Sequence, residues 1–118
     1  MSVCQITVQE SEKNLMEDNE IIYIDVRTAV EFARGHVPGA INIPAFEMNL
    51  GSMVPVLEKF KLAVAESFPK EKKLLIGCQK GSRSQAACEY LQALGYENLN
   101  NVVGGFSAWC EAGLPVEK

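Results

Sequence analysis

Cys78-Gln79-Lys80-Gly81-Ser82-Arg83 is the stretch of this chain whose residue types and spacing add up to reaction chemistry. A cysteine is followed by a glycine that permits a tight turn, and two cations flank it. No acid occurs between Lys72 and Cys88, so an otherwise acidic protein carries a locally basic loop. Cys78 directly follows the apolar run Lys73-Leu74-Leu75-Ile76-Gly77, and a helical pattern resumes about five residues later. A loop this short between strand and helix turns successive backbone N–H groups inward, with the positive end of the helix dipole behind them. That is an anion cradle. It favours the thiolate over the thiol and makes the sulfur a nucleophile at neutral pH. A lone cysteine at a strand end is ordinarily a small core residue, and Lys80 or Arg83 alone would be a solvated loop charge. Their combination is what points to chemistry.

The elements that must position this loop follow from periodicity. Val3 to Val8 alternates loosely, as an edge strand does, and Glu10 to Asp18 reads as a polar helix. Ile21 to Val26 is a continuous β-branched run, the pattern of a strand buried on both faces. Thr28 and Glu31 have capping-box spacing and open a short helix ending near Gly35. His36 to Pro44 is mostly loop around a brief strand at Ala40 to Ile43. From Pro55 to Phe68, the residues Val56, Leu57, Phe60, Val64 and Phe68 share one helical face. The helix after the loop runs from about Arg83 to Leu94, with Ala86, Ala87, Tyr90, Leu91 and Leu94 as its core stripe. Ser82 and Gln85 have capping-box spacing at its start, and Gly95 suits the position after its end. Asn101 to Val103 makes a further strand, and Phe106 to Ala112 a last short helix. Strands alternating with helices predict an α/β domain with a mainly parallel sheet, in which ligands bind at the carboxyl ends of the strands.

The 118 residues suit a single domain, residues 1–118, and 47% hydrophobic with 22% charged residues is a globular composition. Net charge is −4, from 11 basic and 15 acidic residues, with no basic stripe to neutralise phosphates; nucleic acid is not an expected partner. No apolar stretch reaches membrane-spanning length, so no membrane association is expected. Met1 to Glu20 has one lysine and no arginine, unlike a secretory or transit signal. Cytoplasmic residence is the expectation, with an organelle reached by a removed transit peptide as the alternative. Cys4, Cys78, Cys88 and Cys110 show no metal-type clustering and there is one histidine, so no structural metal is expected. The thiols are read as reduced.

Cys78-x-x-Gly81-x-Arg83-Ser84 resembles the active-site loop of single-domain rhodaneses, the thiosulfate sulfurtransferases. Asp25-Val26-Arg27 with Glu31-Phe32-x-x-Gly35-His36-Val37-Pro38-Gly39-Ala40-Ile41-Asn42-Ile43-Pro44 is similar to that family's first signature. Val103-Gly104-Gly105-Phe106-x-x-Trp109 with Gly113-Leu114-Pro115 resembles its C-terminal one. Three blocks in order cover the chain from Asp25 to Pro115, nearest in look to plant-type and bacterial single-domain members. The resemblance implies a rhodanese-like fold: a central, mainly parallel five-stranded sheet flanked by helices on both faces. It implies a ping-pong cycle in which Cys78 takes sulfur from an anionic donor, thiosulfate first among candidates, and passes it to a thiol or cyanide. The persulfide rests on N–H groups from Gln79, Lys80, Gly81, Ser82, Arg83 and Ser84. Lys80 and Arg83 hold the donor, Asp25 and Arg27 support the site, and no cofactor or metal is required.

Other residues are read more plainly. His36, the sole histidine, lies in a Gly/Pro-rich turn and is expected to be structural. Trp109 is expected in the core, and Cys88, off its helix's apolar stripe, and Cys110 as bystanders. The rival chemistries are a Cys-dependent phosphatase or an arsenate reductase. Phosphatase loops are Cys-x5-Arg, whereas Cys78-x4-Arg83 makes a smaller ring, better fitted to sulfur than to a tetrahedral phosphate. A second alternative is a sulfur-relay or interaction module whose acceptor is a thiol-bearing protein.

Overall fold

The computed structural model describes residues 3–118. Its elements are β1 (Cys4–Ile6), α1 (Val8–Glu17), β2 (Ile22–Asp25), α2 (Ala29–Arg34), β3 (Ile41–Asn42), β4 (Phe46–Asn49), β5 (Ser52–Pro55), α3 (Leu57–Ser67), β6 (Leu74–Gly77), α4 (Ser82–Ala93), β7 (Leu99–Val102) and α5 (Gly105–Glu111). The main sheet has five strands in the order β1-β7-β6-β2-β3, all paired in parallel.

Side chains alternate across β6 and β2, and each face of the sheet feeds its own core. Leu74, Ile76 and Ile24 pack with Phe60 and Val64 of α3 and with Ala87, Cys88 and Leu91 of α4. Leu75 and Tyr23 point the other way, onto Val8 of α1 and Trp109 of α5. Complete burial of each such Leu or Ile contributes about 1.5–3 kcal/mol. Cys78 continues the Leu74–Ile76 face, so its sulfur is aimed at the side covered by α3 and α4. Gly77 leaves room for Tyr23, since any Cβ there would overlap the Tyr23 hydroxyl. Tyr23 in turn meets the edge of Trp109 at 6.4 Å between ring centroids.

Several local expectations are corrected. α1 starts two residues early because Thr7 and Glu10 form a capping box, a Thr-x-x-Glu signal present in the sequence. The expected box at Ser82 and Gln85 does not form: Gly81 is the N-cap of α4, at φ 109°, and no side chain caps the helix. The buried stripe of α4 is Ser84, Ala87, Cys88 and Leu91, spaced i, i+3, i+4, i+7, while Ala86 is exposed. Tyr90 and Leu94 suggested a stripe shifted by a residue, because both are more apolar than Ser84 and Cys88. Cys88 is therefore a fully buried core residue.

The antiparallel hairpin β4–β5 was not anticipated at all. Its tight turn is Leu50-Gly51, with φ of 52° and 83°. Such turns usually announce themselves by Asn-Gly or Asp-Gly; leucine in the left-handed region carries no such signal. Leu50 is 99% exposed at the tip.

Candidate active site

The end of β6, the following loop and the start of α4 place two donors on the Cys78 sulfur. The Gly81 N–H lies 3.0 Å from Sγ, and the Ser84 hydroxyl lies 3.3 Å from it. The left-handed Gly81 makes the first contact by folding the loop back over the strand end. The second comes from the first turn of α4. No side chain caps that turn, so its N–H groups stay available near the sulfur. Cys78 is 2% exposed, so the sulfur sits at the bottom of its loop.

The loop is held from outside by α5. The N–H groups of Phe106 and Ser107 donate to the carbonyls of Cys78 and Gln79 at 2.9 and 3.0 Å. Those carbonyls thereby point away from the sulfur and leave donors facing it. The approach is so close that a Cβ on Gly105, which has φ of 56°, would overlap the Cys78 carbonyl. This explains Gly105 in physical terms, while a Cβ on Gly104 would instead overlap that of Ala108.

Arg27 is the buried hub beside the loop, at 2% exposure. Its Nε and Nη2 grip the Asp25 carboxylate, at 2.8 Å for Nη2–Oδ2, and Nη2 also donates to the Gly35 carbonyl. Its Nη1 donates to Gln79 Oε1 at 3.1 Å, and Gln79 Nε2 donates to Ser107 Oγ at 2.9 Å. The guanidinium lies over the Phe106 ring, 4.5 Å from its centroid. Gln79 thus uses its side chain to tie the loop to both neighbours.

The two cations differ. Lys80 is exposed. Arg83 forms a two-pronged pair with Glu31 of α2, both contacts at 2.9 Å, and its Nη1 reaches Met53 of the hairpin at 4.0 Å. The guanidinium pushes the Glu31 carboxyl down to about 2, and Glu31 holds the Arg83 proton more firmly still. Glu31 thus both caps α2 and anchors Arg83, a pairing that sequence reading missed; its only signal was an acid within the first signature. His36 is structural, as expected. Its Nδ1 is 2.9 Å from the Phe32 carbonyl, its Nε2 is 3.2 Å from Glu117, and its ring stacks on Phe32.

All four cysteines are free. Cys4 and Cys110 are exposed, whereas burial pushes the Cys88 thiol up to about 12. Cys88 is thereby a poor nucleophile in the folded protein.

A parallel α/β sheet carrying a cysteine in a donor-lined loop at a strand's carboxyl end is an arrangement that can hold a thiol for covalent group transfer. Comparison with known proteins sharpens that class. Residues 7–112 match the model of the rhodanese-like domain, so the chain belongs to the rhodanese-like family of sulfurtransferases. It is 38% identical over 95 residues to Thiosulfate sulfurtransferase 16, chloroplastic, of Arabidopsis thaliana, covering 80% of this chain and 78% of that one. It is 39% identical over 97 residues to Protein HIGH ARSENIC CONTENT 1, mitochondrial, of the same plant, covering 81% of this chain but only 56% of the relative. The crystal structure of a rhodanese-like domain protein from Staphylococcus aureus superposes with TM-score 0.74 at 32% identity, over 98% of this chain and all of that one.

Proposed function

We propose that residues 1–118 act as one catalytic domain, a thiosulfate sulfurtransferase with Cys78 as its nucleophile. The observation that carries this is the convergence of the Gly81 N–H and the Ser84 hydroxyl on Sγ, beside a helix start that no side chain caps. The Cys78 thiolate attacks the outer sulfur of thiosulfate. A new S–S bond forms, the old one breaks, and its electron pair leaves with sulfite. The persulfide's terminal sulfur lies one bond, about 2 Å, beyond the buried Sγ. There the N–H groups from Gln79 to Ser84 stabilise its charge. Cyanide then attacks this outer sulfur and departs as thiocyanate, or a thiolate takes it to become a persulfide, and the Cys78 thiolate is regenerated. Lys80 attracts the anionic donor. Arg83, with its charge shared with Glu31, contributes position more than net charge.

Intact-mass measurement tests this reading. Thiosulfate should add one sulfur atom to the protein, cyanide should remove it as thiocyanate, and Cys78→Ser should gain none. A wild-type protein that gains no sulfur sinks the proposal.

Two alternatives have an observation each. The arsenic-related name of a relative favours arsenate reduction, which would be read as arsenite formed in the presence of a thiol. Exposed Met48, Leu50 and Met53 on the hairpin beside Arg83 favour a protein as the thiol acceptor. Faster loss of the labelled persulfide to a protein thiol than to a small thiol would support that version. Among the described residues no helix is long and apolar enough to cross a membrane. Microscopy of the tagged full-length protein distinguishes cytoplasmic from organellar residence, the latter being favoured by the chloroplastic and mitochondrial relatives.

A further inference from the structure

Ser84 has one hydroxyl proton and three acceptors within reach. Cys78 Sγ lies at 3.3 Å, the Gly81 carbonyl at 3.2 Å, and Asn101 Oδ1 at 2.5 Å. The shortest contact is to Asn101 of β7, 4% exposed, beside a Ser84 with no exposure. The competition between Asn101 and the sulfur for that single proton bears on the state of the nucleophile.

The orientation of the Asn101 amide is set from outside the site. A carboxylate can only accept, so Glu89 takes a hydrogen bond from Gln85 Nε2 at 3.0 Å. Gln85 Oε1 is then the acceptor for Gln5 Nε2 at 2.7 Å, and Gln5 Oε1 the acceptor for Asn101 Nδ2 at 2.9 Å. The chain of amides leaves Asn101 Oδ1 facing Ser84. The parallel pairing of Gln5 with Asn101 in the sheet keeps two of these links in register.

We propose that Asn101 is a positioning residue that parks the Ser84 proton whenever Sγ is neutral and yields it when Sγ is a thiolate. With Sγ protonated, Ser84 donates to Asn101 and its lone pair accepts the S–H. With Sγ ionised, the hydroxyl turns and donates to sulfur. After sulfur is taken up, Sγ is again neutral and the negative charge lies on the outer sulfur, so the hydroxyl returns to Asn101. Asn101 thereby lowers the energy of the thiol and persulfide states relative to the thiolate. It opposes the Gly81 N–H, which favours the thiolate. The proposal rests on Cys78 being the reacting thiol of the function proposed above.

The charged and titratable groups facing Sγ come from several elements. They are Arg83, paired with Glu31, and Cys88 on α4, and Tyr23 of β2 from the opposite face of the sheet; the Asp25–Arg27 pair reaches the loop through Gln79, and Lys80 is exposed within it. None of them is changed by substitution at 84 or 101, so a shift in Cys78 reactivity is assignable to the hydroxyl and the amide.

The experiment is the alkylation rate of Cys78 by iodoacetamide, read on its own peptide by mass spectrometry so that other cysteines do not interfere. Ser84→Ala removes a donor to the thiolate and should slow alkylation at neutral pH by about fivefold, the effect of one net hydrogen bond. Asn101→Ala removes the competitor and should speed it by a similar factor. The double variant Ser84→Ala/Asn101→Ala should behave as Ser84→Ala alone. At strongly alkaline pH, where the thiol is ionised in every variant, the rates should converge. Slowing by Asn101→Ala, or differences that persist in alkali, would mean that Asn101 only packs the strand, and the proposal would fail. No sulfur donor enters this measurement, so a protein that alkylates as expected yet gains no sulfur sinks the sulfurtransferase reading alone.

Discussion

Glu31 and Arg83 stand 52 residues apart in the chain and meet in a two-pronged ion pair beside the Cys78 loop. The same carboxylate accepts the Thr28 N–H at the start of α2, so one acid couples the start of α2 to the first turn of α4. Glu31→Gln keeps the capping geometry but removes the charge that offsets Arg83. It should lower KM for thiosulfate by raising the loop's positive field, and reduce stability by about 1 kcal/mol or less. Steady-state kinetics and urea denaturation read the two effects separately.

Acid should act on the same pair. Because Arg83 holds the Glu31 carboxyl down to about 2, the folded state keeps this group ionised where the unfolded chain binds a proton. The pair's contribution is full above the ordinary value of 4.5, shrinks as pH falls below it, and is gone below about 2. Wild type and Glu31→Gln should therefore differ in thermal midpoint near neutrality and converge in strong acid. A gap that widens as pH falls would contradict the assignment.

Gly105→Ala should be far more damaging than Gly113→Ala. Both glycines have positive φ, at 56° and 74°, but a Cβ at 113 meets nothing within 4 Å, whereas one at 105 overlaps the Cys78 carbonyl. Gly113→Ala is expected to cost about 1 kcal/mol of backbone strain. Gly105→Ala should cost about 2–3 kcal/mol and displace the loop, with sulfur transfer falling further than stability explains.

Arg27→Met should leave Asp25 as an unpaired buried charge, at a cost of about 3–5 kcal/mol. Arg27→Lys restores a charge but not the fork that spans Asp25, Gly35 and Gln79, so rescue of activity should be partial at best. Denaturation curves and sulfur transfer measured on both variants check this.

Thiol titration should separate the cysteines. Cys4 and Cys110, exposed, should be accessible to reagent in the native protein. Cys88, whose thiol burial holds up at about 12, should react only after unfolding. Early modification of Cys88 in the native protein would contradict its place in the core.

The strand–loop–helix unit around Cys78 was legible from local order alone, because a β-branched run, a permissive glycine and a helical stripe are short-range signals. The parallel sheet and the structural role of His36 were legible too, as was the Thr28–Glu31 cap. Tertiary structure decided the rest. The Glu31–Arg83 pair, the α5 clamp on the Cys78 and Gln79 carbonyls, and the Asn101–Ser84 contact join residues distant in sequence. No periodicity encodes such pairings; they exist because the parallel sheet brings β2, β6 and β7 side by side and ends them at one rim. The hairpin escaped because its turn uses leucine where local chemistry would favour asparagine. Residue type and spacing determined where sulfur chemistry could occur in this protein. Which groups surround that sulfur, and which cation is already paired, was decided only when the chain closed on itself.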